Sequence, residues 1–204
     1  MPINVTLLFS CEQYLAAADA YLRGVERRIA AGLNPAVPSV ASLFISRWDV
    51  AVAGKVPAEL VNRLGIAIGQ QTYRAYRQLL ASARFQRIAN AGGRAQRLLW
   101  ASTGTKDPKA SDILYVRAFA APFTINTIPE KTLQAFADHG VLDGTLAADG
   151  GDCDAVLAAF ARAGIDTAAL ATRLQDEGAA AFVRSWNELM AHIGTRGAAI
   201  GKAG

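Results

Sequence analysis

The chain has 204 residues, 52% hydrophobic and 19% charged, with a formal net charge of +4. That length can bury one sizeable core, and no apolar run approaches the roughly 20 residues of a membrane helix. "MPINVTLLFS" has no basic leader ahead of an apolar stretch, so no secretory signal is expected and a cytoplasmic location is.

The first apolar run, 3–9, predicts a buried strand in which Ile3, Val5, Leu7 and Phe9 face helices while Asn4, Thr6 and Leu8 face the other way. A helix follows, with Ser10 as N-cap, Glu12 in the first turn, and Tyr14, Ala18, Tyr21, Leu22, Val25 and Ile29 on one face. Gly32 and Pro35 end it. A second run, "VASLFIS" at 40–46, predicts a strand with Arg47 at its end. A long helical region is expected from about 58 to 91, closed by Gly92 and Gly93. The third run, 97–101, leads into the loop "STGTKDPKASD". The fourth, 123–127, leads into a helix opened by Pro129 and Glu130 and closed by Gly140. From Asp152 onward the periodicity is helical, and the small, basic residues 194–204 are expected to form a disordered tail. Strands alternating with helices predict an α/β fold with a parallel sheet.

Each expected strand delivers polar groups at its C-terminal end. The second places Ser42, Phe44 and Ser46 on one face with Arg47 next; the third is followed by Ser102, Thr103, Thr105 and Lys106; the fourth ends in Asn126 and Thr127. In a β/α barrel that end is the active face. Hydroxyls, amides and two cations there suit a phosphorylated polyol, with Arg or Lys for phosphate and Asn, Ser and Thr for hydroxyls. The pI of about 9.3 fits phosphorylated metabolites or nucleic acid. Arg74, Arg77, Arg84 and Arg87 fall in one helical arc that reads as a solvated face, without the aromatic interleaving of a nucleic-acid surface. Cys11 and Cys153 occur in no metal or CxxC spacing and read as reduced thiols. His139 and His192 belong to no HExxH or Ser-His-Asp grouping and read as structural or surface residues. "GGRAQ" is no phosphate fingerprint, and Trp48, Trp100 and Trp186 read as packing residues.

The segments "NVTLLFS" (4–10), "SVASLFISRWD" (39–49), "LLWASTGTKDP" (98–108), "INTIPEKTLQAFADHG" (125–140) and "LQDEGAAAFVRSWNELM" (174–190) resemble transaldolase, most closely the long bacterial form found alone or fused to a phosphoglucose isomerase. The resemblance implies a (β/α)8 barrel of the TIM type. It implies transfer of a dihydroxyacetone unit from a ketose phosphate to an aldose phosphate in the pentose phosphate pathway, through a Schiff base on a strand lysine, with no cofactor or metal. It assigns Asn4 to hydrogen bonding of the bound unit and Thr6 to the catalytic water. Ser42 and Arg47 match phosphate-binding positions, Phe44 the aromatic between them, and Ser102 a further substrate position; Lys106 is the nearest candidate for a second phosphate cation.

In the family, NxTLLFS is the fifth strand of eight. The resemblance therefore covers a C-terminal half: the last four βα units over 1–145, with helices over 146–193 packed on the barrel. A typical barrel takes roughly 250 residues. The Thr-Ser-Asn-Pro segment, the acid–base Asp and Glu, and the Schiff-base Lys of an "I-K-I/V-P" strand have no counterpart here, and Lys55, Lys106, Lys109, Lys131 and Lys202 all fall in loop or helical sequence. The expected partners are a sugar phosphate and an N-terminal barrel half, or self-association, with no nucleic acid or membrane. The alternatives are a non-catalytic sugar-phosphate-binding half-barrel and, favoured by charge alone, a helical or nucleic-acid-binding interaction protein.

Overall fold

In the computed structural model, residues 2–200 are described, without the side chains of 197–200. Four parallel strands, β1 (Ile3–Leu8), β2 (Ser39–Phe44), β3 (Gln96–Ala101) and β4 (Ile125–Asn126), pair in the order β1-β2-β3-β4. The helices are α1 (Cys11–Ala30), α2 (Ser46–Val52), α3 (Leu64–Ala81), α4 (Ala83–Asn90), α5 (Leu114–Ala118), α6 (Glu130–His139), α7 (Cys153–Arg162) and α8 (Thr167–Ile200), with a 3-10 turn at Ala58–Leu60. Parallel strands laid down in sequential order follow the winding of a β/α barrel, whereas a doubly wound sheet reverses its order partway.

The register sets which residues share a face. Ala41 pairs with Leu98 and Leu43 with Trp100, and all four are fully buried under the helices. Burying a leucine such as Leu43 or Leu98 contributes about 1.5–3 kcal/mol. Arg97 pairs with Val40 and Leu99 with Ser42 on the opposite face, where Asn4, Thr6 and Arg97 are exposed and Val40, Phe44 and Ile125 half-exposed. Arg97 there donates to the Thr124 carbonyl oxygen at 2.7 Å.

Several elements differ from expectation. The alternation in β1 fails because Leu7 adopts a left-handed φ of 58° and the register shifts between Val5 and Leu8. The extra residue of this bulge turns Leu8 inward with Phe9, while Ile3 is half exposed. β2 stops at Phe44, and Ser46 and Arg47 open α2 instead of ending a strand. The helical region from 58 to 91 breaks at Ser82, which turns to extended backbone and accepts a hydrogen bond from the Phe85 N–H to cap α4. That break also divides the expected arginine arc: Arg74 pairs with Asp154, Arg84 with Asp19 and Glu26, and Arg77 stacks between Tyr73 and Phe123. β4 shrinks to two residues, entered through a left-handed Phe123 with φ 64°. Trp186 is 62% exposed and is no packing residue. α8 continues through 194–200, expected as a disordered tail; 201–204 lie outside the described residues. The first helix follows its signals: Ser10 and Gln13 form a reciprocal capping box. Cys11 and Cys153 are free and buried, and burial pushes the Cys11 thiol up to about 11. Among the described residues no single helix is long and apolar enough to cross a membrane; α7 and α8 reach the required length and hydropathy only as a pair bent by 91°.

The central tie is Asp49 on α2. It is 7% exposed and accepts hydrogen bonds from Leu64 N at 2.9 Å, Gly65 N at 3.2 Å and Tyr115 Oη at 2.7 Å. One carboxylate thus caps α3 and holds α5. The approach needs glycine at 65, since a Cβ there would sit 2.7 Å from the Ile45 carbonyl oxygen and 2.8 Å from Asp49 Oδ2. Burial holds the Asp49 carboxyl above the ordinary carboxylate range, against the opposing hydrogen bonds from Tyr115, Gly65 and Leu64. A raised folded value means that the protonated group favours the fold. The contribution is complete below the unfolded value of about 3.9 and fades as pH rises through the folded one. Asp49→Ala is expected to cost about 3 kcal/mol in urea unfolding, because it orphans two amides and a hydroxyl. Asp49→Asn should cost less, with a deficit that shrinks as pH rises from about 4; a deficit that grows with pH would show that the fold favours the ionised form.

Candidate active site at the strand ends

A side-chain hydrogen bond links each neighbouring pair of strands on the open face or at the C-terminal edge. Ser42 Oγ donates to Asn4 Oδ1 at 2.8 Å, joining β2 to β1. The Ser46 and Ser102 hydroxyls share a bond of 2.8 Å, joining the start of α2 to the end of β3. Thr103 Oγ1 donates to Asn126 Oδ1 at 2.8 Å, joining β3 to β4. Backbone bonds reinforce the middle link: the Ile45 and Ser46 amides donate to the carbonyls of Ala101 and Ser102 at 3.0 and 3.1 Å. Ser102 is held with φ 59°. A left-handed non-glycine residue costs of order 1–3 kcal/mol and persists where its surroundings over-determine it, as at active sites.

Arg47 stands above this row. Its guanidinium carbon lies 5.0 Å from the centre of the Phe44 ring, which in turn packs against Phe9 at 5.4 Å. Among the described residues Arg47 enters no ion pair, whereas Arg23, Arg63, Arg74, Arg84, Arg117 and Arg173 pair with carboxylates. The aromatic face orients the fork and leaves its N–H groups free for an anion. α8 closes the site at the β1 end. Gln175 Nε2 donates to the Leu7 carbonyl at 2.8 Å, and Gly178 lies so near that a Cβ would meet Leu7 Cδ2 at 2.9 Å and Arg47 Nη1 at 3.2 Å.

Ser42, Phe44, Arg47 and Ser102 run from the middle of the sheet to its C-terminal edge; Asn4, paired with Val40 toward the opposite end, is tied to them through Ser42. Ser42 is 2% exposed with its hydroxyl committed to Asn4, so it positions that amide and presents no surface of its own. Thr6 is exposed and makes no side-chain hydrogen bond among the described residues. Lys106 is exposed on the loop after β3, with Nζ 3.9 Å from where a Gly104 Cβ would be. Lys55, Lys109 and Lys131 are exposed too, and none of these four lysines lies on a strand. His139 sits away from the row, between Asp112 and Asp138; the Asp112 hydrogen bond foremost holds its imidazole above the ordinary histidine range. Sequence alone did not single out Asp49, Gln175 or Gly178. Their only signal was membership of the "SRWD" and "LQDEGAAAF" segments.

A hollow of about 1060 Å³ opens at the other end of the sheet, among Tyr76, Arg77, Phe85, Arg94, Arg97 and Phe123. It shares only Asn4 with the strand-end candidates. In β/α barrels that face serves stability and the opposite one chemistry.

The family described as Transaldolase/Fructose-6-phosphate aldolase matches residues 1–193. The chain is 44% identical over 197 residues to a transaldolase of Parafrankia sp., covering 92% of this chain and 53% of that protein. A transaldolase of Thermobifida fusca is 42% identical over 200 residues, covering 94% and 54%. One of Mycobacterium tuberculosis is 41% identical over 207 residues, covering 95% and 56%. The chain spans about half the length of the curated relatives it matches.

The stitched edge makes a stability prediction. Thr103→Val removes a buried hydroxyl from Asn126 at nearly constant volume and should cost about 1–2 kcal/mol in urea unfolding. Thr6→Val, on the exposed face, should stay within about 0.5 kcal/mol of wild type. Equal effects from the two would mean that the strand-end links hold nothing.

Proposed function

The chain belongs to the Transaldolase/Fructose-6-phosphate aldolase family, and we propose from that premise that it forms the C-terminal, substrate-holding half of a transaldolase (β/α)8 barrel. The reaction is transfer of a dihydroxyacetone unit from a ketose phosphate, such as sedoheptulose 7-phosphate or fructose 6-phosphate, to an aldose phosphate, such as glyceraldehyde 3-phosphate or erythrose 4-phosphate. A lysine amine adds to the ketose carbonyl and water leaves. Breaking the C3–C4 bond then releases the aldose phosphate and leaves the three-carbon unit on nitrogen.

The observation that carries this reading is the unpaired Arg47 fork, stacked on Phe44 above a row of hydroxyls and amides. Arg47 takes the phosphate, since a planar fork matches its oxygens two at a time. Asn4, oriented by Ser42, donates its amide N–H to a hydroxyl of the dihydroxyacetone unit. Ser102 meets the substrate from β3, Lys106 adds a second cation, and Thr6 holds water on the open face.

The nucleophile comes from elsewhere. A Schiff-base lysine needs a desolvated amine with a lowered pKa, and Lys55, Lys106, Lys109 and Lys131 are all exposed to water. An N-terminal barrel half, on the same polypeptide or another, supplies that lysine and the acid–base carboxylates. The lysine positions also favour a second reading, in which the chain binds sugar phosphates without catalysis.

Both readings need Arg47. Titrated with fructose 6-phosphate by calorimetry, Arg47→Ala is expected to bind at least tenfold more weakly than wild type, and Arg47→Lys to recover only part of the loss. Unphosphorylated fructose should not distinguish the three proteins. Equal affinity of wild type and Arg47→Ala for the phosphate would remove Arg47 from the site, and with it the support for a sugar-phosphate function.

A further inference from the structure

α8 is held to the body only over its first part. Leu170, Ala171, Leu174 and Gly178 are buried, and Gln175 is bonded to Leu7 and to Gln13. From there an apolar stripe faces solvent: Phe182, Val183, Trp186, Leu189, Met190 and Ile193 are 47–62% exposed. At 100° per residue, Phe182 and Leu189 fall within about 20° of the buried Ala171. The stripe begins at one side of the face that α8 rests on the sheet and turns away from it, with Trp186, Met190 and Val183 rotated by about 60°, 100° and 120° from Ala171. Arg184, Asn187, Glu188 and His192 lie off the stripe and give it a polar flank; Glu188 and His192 stand about five whole turns after Leu170 and Leu174 and so fall on the face that is buried earlier in the helix.

The place where the helix leaves the body is specific. Its last tight contacts, at Gln175 and Gly178, are with Leu7 of β1, and β1 is the edge of the sheet, paired on one side only. From Gly178 to Ile193 the helix runs about 22 Å, and strands lie about 4.8 Å apart, so the arm is long enough to cross roughly four more of them. The relatives are about twice the length of this chain. We infer that the stripe from Phe182 to Ile193 is the contact surface for the βα units that pair with the free edge of β1, an inference that rests on the barrel reading above. A body that continues the sheet past β1 and wraps the helix meets the stripe from its near side, at Phe182, Leu189 and Ile193. A second copy would have to present its own helix to that same side.

Trp186 reports directly, because Trp48 and Trp100 are fully buried. The partner to use is the part of the Parafrankia transaldolase that has no counterpart in this chain. On mixing, tryptophan emission should shift to the blue and iodide quenching should fall by at least half. Leu189→Ser/Ile193→Ser should weaken the pairing at least tenfold while leaving urea unfolding of this chain alone unchanged, as both residues are exposed. Pairing that leaves Trp186 open to iodide, with the double variant binding as wild type, overturns the stripe and leaves the barrel reading standing. No pairing at all overturns both. Protection of Trp186 by raising the concentration of this chain alone gives the stripe to a second copy and overturns the inference.

Discussion

Much of the structure depends on one buried carboxylate. Asp49 caps α3 through Leu64 and Gly65, holds α5 through Tyr115, and sits on the same short helix as Ser46 and Arg47. Because that helix is pinned from behind, the residues at its start can be specified in front. The Ser46 hydroxyl meets Ser102, and the Arg47 guanidinium settles over Phe44. A carboxylate without the amide and phenol donors would be costly in such a place, so these donors also support the helix that carries Ser46 and Arg47.

The sheet is built asymmetrically. One face is sealed by Ala41, Leu43, Leu98 and Trp100; the other carries Asn4, Thr6 and Arg97 in the open. An exposed face with two unpaired edges invites association, and polar groups on it are free to meet a ligand. The strand-end hydrogen bonds tie this edge together beside the α8 contact at Leu7. In the proposed barrel the open face becomes the interior and the stitched edge the floor of the site. The strained backbone at Leu7 and Ser102 lies at that same edge, with α8 pressed onto the first of them.

The layout was legible in sequence because its signals are local: apolar runs of strand length, the Ser10 cap, and Pro129–Glu130 opening α6. Periodicity missed what depends on distant partners. The bulge at Leu7 is invisible to an alternation rule, since it arises where α8 returns from far along the chain. α2 was hidden because its defining residue, Asp49, finds its donors on α3 and α5. Among the candidate site residues, Arg47 and Ser102 were legible from their place beside strand ends. Ser42 was legible as a position but not as a buried support, because that depends on Asn4 lying across the sheet from it.

Family membership is shown, and the Arg47 fork over Phe44 supports the proposed sugar-phosphate site; in that proposal the amine comes from outside this chain, since Lys55, Lys106, Lys109 and Lys131 are exposed. The direct test mixes this chain with the unmatched part of the Parafrankia transaldolase, adds fructose 6-phosphate and borohydride, and locates the reduced three-carbon adduct by mass spectrometry. The proposed division predicts an adduct on a lysine of the added segment and none on Lys55, Lys106, Lys109, Lys131 or Lys202. An adduct on any of those five would contradict it.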